Sequence, residues 1–157
     1  MSALLPAPRR WTRGIAILLG IPFLVGLGLL TLTPARVEES MPNLLELVLS
    51  TAHRVGWDWL DFTRLEILAN VLVFVPVGVF AFLLVPRRVW PVAVVIGPAI
   101  SVAIEVAQRL ALPHRAATVS DVAANSGGAL IGVFLAIACT LLFAPSTTRP
   151  PRSLETA

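Results

Sequence analysis

The sequence predicts an all-α integral membrane protein: a four-helix bundle with a short amphipathic interfacial helix in the first outer loop. Of 157 residues, 57% are hydrophobic and 13% are charged, whereas a soluble domain is about 45–50% apolar and about 25% charged. Four apolar runs are each close to the ~20 residues that a helix needs to cross a bilayer. The net charge is only +3, and the arginines flank the apolar runs. This pattern orients membrane helices and excludes nucleic acid as a partner.

The first span is predicted at residues 14–33, after a cytoplasmic lead at residues 1–13 that carries Arg9, Arg10 and Arg13. A secretory signal peptide would have an apolar region of only ~7–15 residues. Because this run is longer, we interpret it as a retained helix.

The loop after the first span contains a stripe of apolar residues at helical spacing, namely Leu44, Leu45, Val48, Ala52 and Val55. Trp57 and Trp59 follow, and indoles favour the headgroup region of a bilayer. These features predict an amphipathic helix in the outer interface. It either caps the bundle or acts as a lid that contacts a ligand.

The remaining spans are predicted at residues 65–85, 90–112 and 122–143. The second and third are separated by four residues, which indicates a helical hairpin. Residues 144–157 are rich in Pro, Ser, Thr and Arg and are predicted to be disordered. The distribution of arginine favours cytoplasmic N- and C-termini.

Polar residues interrupt the last three spans near one end of each: Asn70, then Glu105 and Gln108, then Asp121 and Asn125. Since successive spans alternate in direction, all of them are predicted at one depth. Charged groups inside a bilayer mark functional sites by default. The competing interpretation is packing, with Asp121 at a helix N-terminus after Thr118 and Glu105 paired with Arg109 on one helix face.

Other chemistries find little support in the chain. There is no GxSxG, Walker, CxxC or HExxH motif. The only histidines, His53 and His114, fall in predicted outer loops, and Cys139 is the only cysteine. We therefore predict neither a metal nor a cofactor.

Three motifs resemble those of the VanZ-like family of membrane proteins. Asn70, Phe74, Pro76 and Gly78 match its N-x-x-x-F-x-P-x-G pattern, and Glu105 and Gln108 match its E-x-x-Q. A third motif is matched by Arg115, Asp121, Asn125 and Gly128, with one extra residue between Arg115 and Asp121. The resemblance implies a protein of the bacterial cell membrane, in a family associated with teicoplanin resistance. It does not include Arg109 or Glu66, which lies one turn before Asn70 on the same predicted helix face. We assign both to interface or structural roles.

Three functions are compatible with this set of residues. In the first, Asn70, Gln108, Arg115 and Asn125 bind an amphiphile at the outer leaflet, such as a lipid-linked cell-wall precursor or a glycopeptide antibiotic. In the second, Glu105 and Asp121 serve as acid and base of an intramembrane hydrolase or transferase. In the third, the polar network serves packing or assembly only. Membrane lipids are partners in all three.

Overall fold

The computed structural model describes residues 5, 8, 10–32, 42–111 and 118–143. Within these ranges every regular element is helical, which confirms the predicted all-α class. A 3₁₀ turn at Arg87–Val89 separates the third and fourth of the α-helices. The α-helices are α1 (Arg10–Leu32), α2 (Pro42–Arg54), α3 (Phe62–Leu84), α4 (Val92–Ala111) and α5 (Val119–Leu142).

Four of these helices, α1, α3, α4 and α5, are long and apolar enough to cross a membrane. The protein is therefore a multi-pass membrane protein. The helices and the predicted spans differ by up to four residues at their ends, because caps rather than hydropathy set where a helix begins. Asp61 caps α3 by accepting a hydrogen bond from the Arg64 amide at 2.8 Å, and Thr118 caps α5 by accepting from the Asp121 amide at 3.2 Å. The first helix begins at Arg10, inside the predicted lead.

The core of the bundle is the contact between α3 and α5, which run parallel. Gly128 lies against the Val71 carbonyl, and Gly132 lies against the Val75 carbonyl. Such small residues let two membrane helices approach backbone to backbone. The contact thus places the first turns of α5 beside the first half of α3, where the polar residues lie.

The outside of the bundle is apolar, as expected of a surface that faces lipid. The first helix packs against α3 and α4, with Ala16, Gly20 and Leu27 as its buried residues. Its other large side chains, Leu18 and Leu29 among them, are exposed. It is therefore the most peripheral of the four spanning helices, with the smallest buried share.

The amphipathic helix predicted after the first span is α2. Ala52 is buried at its C-terminal end, while Leu44 and Leu47 are exposed. The exposed indoles of Trp57 and Trp59 follow, with ring centroids 6.3 Å apart. An apolar face and two adjacent indoles suit a helix at the headgroup level. Its role as a cap or a lid stays a prediction.

Candidate functional site

The predicted polar residues lie at one end of the bundle, where α1 and α4 finish and α3 and α5 begin. We call this the polar end. The four spanning helices are joined there in pairs by two hydrogen bonds, each between residues far apart in the sequence. One bond joins α3 to α5, and the other joins α4 to α1. The described members of the predicted site are Asn70, Glu105, Gln108, Asp121 and Asn125; Arg115 and His114 lie outside the described residues.

Asn70 and Asp121 are hydrogen-bonded to each other across the α3–α5 contact. The Asn70 Nδ2 donates to the Asp121 Oδ1 at 3.0 Å, and both side chains are half-buried. Asp121 lies in the first turn of α5, where the helix dipole favours a negative charge. The pair therefore fixes the register of the two helices at the polar end.

Gln108 connects α4 to the end of α1. Its side chain is only 8% exposed, and its Nε2 donates to the Thr31 carbonyl oxygen at 2.9 Å. Carbonyls in the last turn of a helix lack an intrahelical donor. Gln108 supplies one and so ties the peripheral first helix to the bundle.

Glu105 lies one turn before Gln108 on the buried face of α4. The residue is 7% exposed, and its Oε1 is 3.8 Å from a guanidinium nitrogen of the more exposed Arg109. This is the i,i+4 pair that the packing interpretation predicts. In this pair the carboxylate of Glu105 lies inside the bundle, and the guanidinium of Arg109 lies toward the surface.

Apart from Glu105, which is ion-paired with Arg109, two buried polar groups at this end have no hydrogen-bond partner among the residues described. One is the Oδ1 of Asn125, which lies one turn after Asp121 on α5 and is 9% exposed. The other is the Oγ of Ser101, which lies one turn before Glu105 on α4 and is 1% exposed. A buried acceptor or hydroxyl left unsatisfied costs about 1–3 kcal/mol. These atoms therefore represent unused capacity for hydrogen bonding.

Two participants were missed by the sequence analysis. Ser101 has a detectable signal, because its spacing of four from Glu105 places both on one helix face. Thr31 has none, since it contributes a backbone carbonyl whose role depends on which helix packs beside it. In the described part of the chain, no group of three His, Cys, Asp or Glu residues is placed to hold a metal ion.

Comparison with known proteins assigns the chain to a family. The family model described as VanZ/LLP1 matches residues 14–143, which include every spanning helix past the first turn of α1 and all six predicted site residues. No curated protein matches the chain, and no solved structure matches it. The match covers most of the sequence and agrees with the resemblance seen in its motifs. The chain therefore belongs to the VanZ/LLP1 family.

Proposed function

We propose that this protein binds an amphiphilic ligand at the polar end of the bundle, in the outer leaflet of a bacterial cell membrane. The ligand class comprises lipid-linked cell-wall precursors and lipoglycopeptide antibiotics such as teicoplanin. The observation that carries the proposal is the buried Asn125 Oδ1, which has no hydrogen-bond partner in the described residues. An amide oxygen in that position accepts a hydroxyl or amide donor, both of which are abundant in such head groups.

The surroundings of Asn125 support a polar ligand. Asn70 and Asp121 lie on the neighbouring turn of the α3–α5 contact, and Ser101 offers a second buried group without a partner in the described ranges. The family motif adds Arg115, whose guanidinium suits a phosphate or carboxylate. A head group held by these residues has its apolar chains beside the exposed apolar surface of the helices.

A packing role is the second candidate, and a specific observation favours it. Two of the polar side chains already have partners within the bundle. Asn70 donates a hydrogen bond to Asp121, and Gln108 donates one to the Thr31 carbonyl. On this reading the polar residues hold the helices in register for assembly. Every substitution would then act through the amount of folded protein in the membrane.

The decisive variant is Asn125→Leu, because the two candidates predict opposite results for it. Replacing Asn125 by an apolar residue of similar size removes a buried acceptor that has no partner in the described residues, and the loss of this unsatisfied group by itself favours packing. A binding site instead loses a hydrogen bond, which corresponds to a weakening of about 2- to 12-fold. Asn43→Leu, at an exposed position of α2, is the matched control.

The assay is teicoplanin susceptibility of a sensitive host at matched membrane levels, together with binding of teicoplanin and of a lipid-linked precursor to the purified protein. We expect Asn125→Leu to keep its abundance and lose binding, while Asn43→Leu retains both. Unchanged binding of both probes in Asn125→Leu would refute the proposal. Turnover of a precursor that disappears in Glu105→Gln, with affinity retained, would instead assign the catalytic function predicted for Glu105 and Asp121.

A further inference from the structure

The buried faces of α4 and α5 come very close together at Gly97 and Ala129. A Cβ built at Gly97 lies 2.1 Å from the Ala129 Cβ, so these two positions face each other directly. The two helices run in opposite directions, and four residues cover ~6 Å of helix axis. One turn nearer the polar end, the facing positions are therefore Ser101 on α4 and Asn125 on α5.

Ser101 and Asn125 each bring an unused hydrogen-bonding atom to this level of the bundle. Both residues are buried, and neither the Ser101 Oγ nor the Asn125 Oδ1 has a hydrogen-bond partner in the described part of the chain. Two other hydroxyls of spanning helices, those of Thr31 and Thr140, donate to the carbonyl four residues earlier at 2.8 and 2.7 Å. Ser101 does not use that option. Because buried polar atoms are normally paired, we expect a third group to bridge Ser101 and Asn125.

The surroundings of this gap limit what can fill it. Toward the opposite end of the bundle lies an apolar cluster that includes Phe74, Val77 and Ala129, whose side chains offer no hydrogen-bonding group. One turn away, the contact at Gly97 holds the two backbones close together. The gap therefore admits a small group and not a whole ring, and a polar group enters it from the polar end.

We propose that Ser101 and Asn125 together receive one hydroxyl group of the ligand, so that the site selects a hydroxyl-bearing head group such as a sugar. This inference rests on the function proposed above and names the chemistry of its ligand. A hydroxyl both donates and accepts, so it donates to the Asn125 Oδ1 and accepts from the Ser101 hydroxyl. A phosphate diester or an ionised carboxylate has no proton to donate to the Asn125 Oδ1. Anionic parts of the ligand therefore lie outside this gap.

The test compares two probes that share a dodecyl chain. One is dodecyl glucoside, and the other is its per-O-methyl derivative, which keeps the oxygens but has no donor. Binding is measured to the full-length protein in lipid nanodiscs. We expect wild type to prefer the glucoside at least about fivefold, because the ether leaves the buried Asn125 oxygen without a donor.

Three variants locate the preference. Ser101→Ala should weaken binding of the glucoside by about 2- to 12-fold, which corresponds to one hydrogen bond. Asn125→Leu should abolish the preference between the probes. Ser120→Ala is the matched control, because it removes the same hydroxyl from an exposed position of α5, and it should leave both affinities unchanged.

Three results would overturn the proposal. Equal affinities of wild type for the two probes would show that no hydroxyl is selected. A preference retained in Asn125→Leu would show that the methylated probe is rejected by its size. An unchanged glucoside affinity in Ser101→Ala, together with a lower stability in the absence of probe, would show that the gap holds only a buried water molecule.

Teicoplanin binding, measured in the same nanodiscs, separates this inference from the proposed function. Loss of teicoplanin binding in Asn125→Leu, without any preference between the dodecyl probes, would refute the hydroxyl assignment and leave the proposed function standing. A preference for the glucoside in a wild type that binds neither teicoplanin nor a lipid-linked precursor would refute the ligand class proposed above and support the hydroxyl site.

Discussion

The α3–α5 contact predicts that adding a single methyl group at Gly128 will disturb the whole polar end. A Cβ built at Gly128 lies 2.1 Å from the Val71 carbonyl oxygen and 2.8 Å from its carbonyl carbon. Both are backbone atoms, so no side-chain rotation relieves the clash. The helices must separate by about 1 Å before a carbon and an oxygen reach an ordinary contact near 3.3 Å.

The expected cost follows from this displacement. Overpacking of a close contact costs about 1–3 kcal/mol, while replacing Gly by Ala in a helix returns up to about 1 kcal/mol through helix propensity. The shift also stretches the 3.0 Å hydrogen bond from Asn70 to Asp121 to about 4 Å, beyond the range of a hydrogen bond. Gly128→Ala is therefore net destabilising and weakens the link between α3 and α5.

Gly127→Ala provides the control, because a Cβ there meets nothing within 4 Å and the gain in propensity is the same. The free energy of unfolding is measured for both variants by denaturation in bicelles. We expect Gly128→Ala to be less stable than Gly127→Ala by about 1–3 kcal/mol. Equal stabilities would show that the two backbones do not approach as closely as described and would refute the reasoning.

Three further predictions concern the two hydrogen bonds between helices and the orientation of the protein in the membrane. A double-mutant cycle of Asn70→Ala with Asp121→Ala should give a coupling energy of about 0.6 kcal/mol and at most about 1.7 kcal/mol, the average and the maximum found for hydrogen bonds between membrane helices; additive effects would contradict a direct bond. Gln108→Leu should speed amide hydrogen exchange in the last turns of α1, because that helix loses its polar tie to α4, and unchanged exchange would show that lipid and packing alone hold it. In a cysteine-free background, cysteines at the exposed positions of Asp58 and Arg88 should react from outside and inside the cell respectively, and the reverse pattern would invert the predicted orientation.

Much of the fold could be predicted because the bilayer imposes simple rules on sequence. A spanning segment must satisfy its backbone internally and present apolar side chains, so composition and run length were enough to find α1, α3, α4 and α5. The capping-box spacing of Thr118 and Asp121 is also visible in the sequence, since capping acts over three residues. The alternation of spans placed Asn70, Gln108 and Asp121 at one end without any knowledge of packing.

The sequence by itself therefore determined the family, the membrane class and the end of the bundle at which the polar residues lie. Only the tertiary structure decided which helices are partners: α3 packs most extensively with α5, not with α4, to which a short hairpin joins it. It also decided that Asn70 bonds to Asp121, 51 residues away, and that Gln108 bonds to a carbonyl 77 residues away. Hydropathy gives the number of spanning helices and their polar ends, but it carries no information on their rotation or neighbours. Those depend on where small residues such as Gly128 allow two backbones to meet.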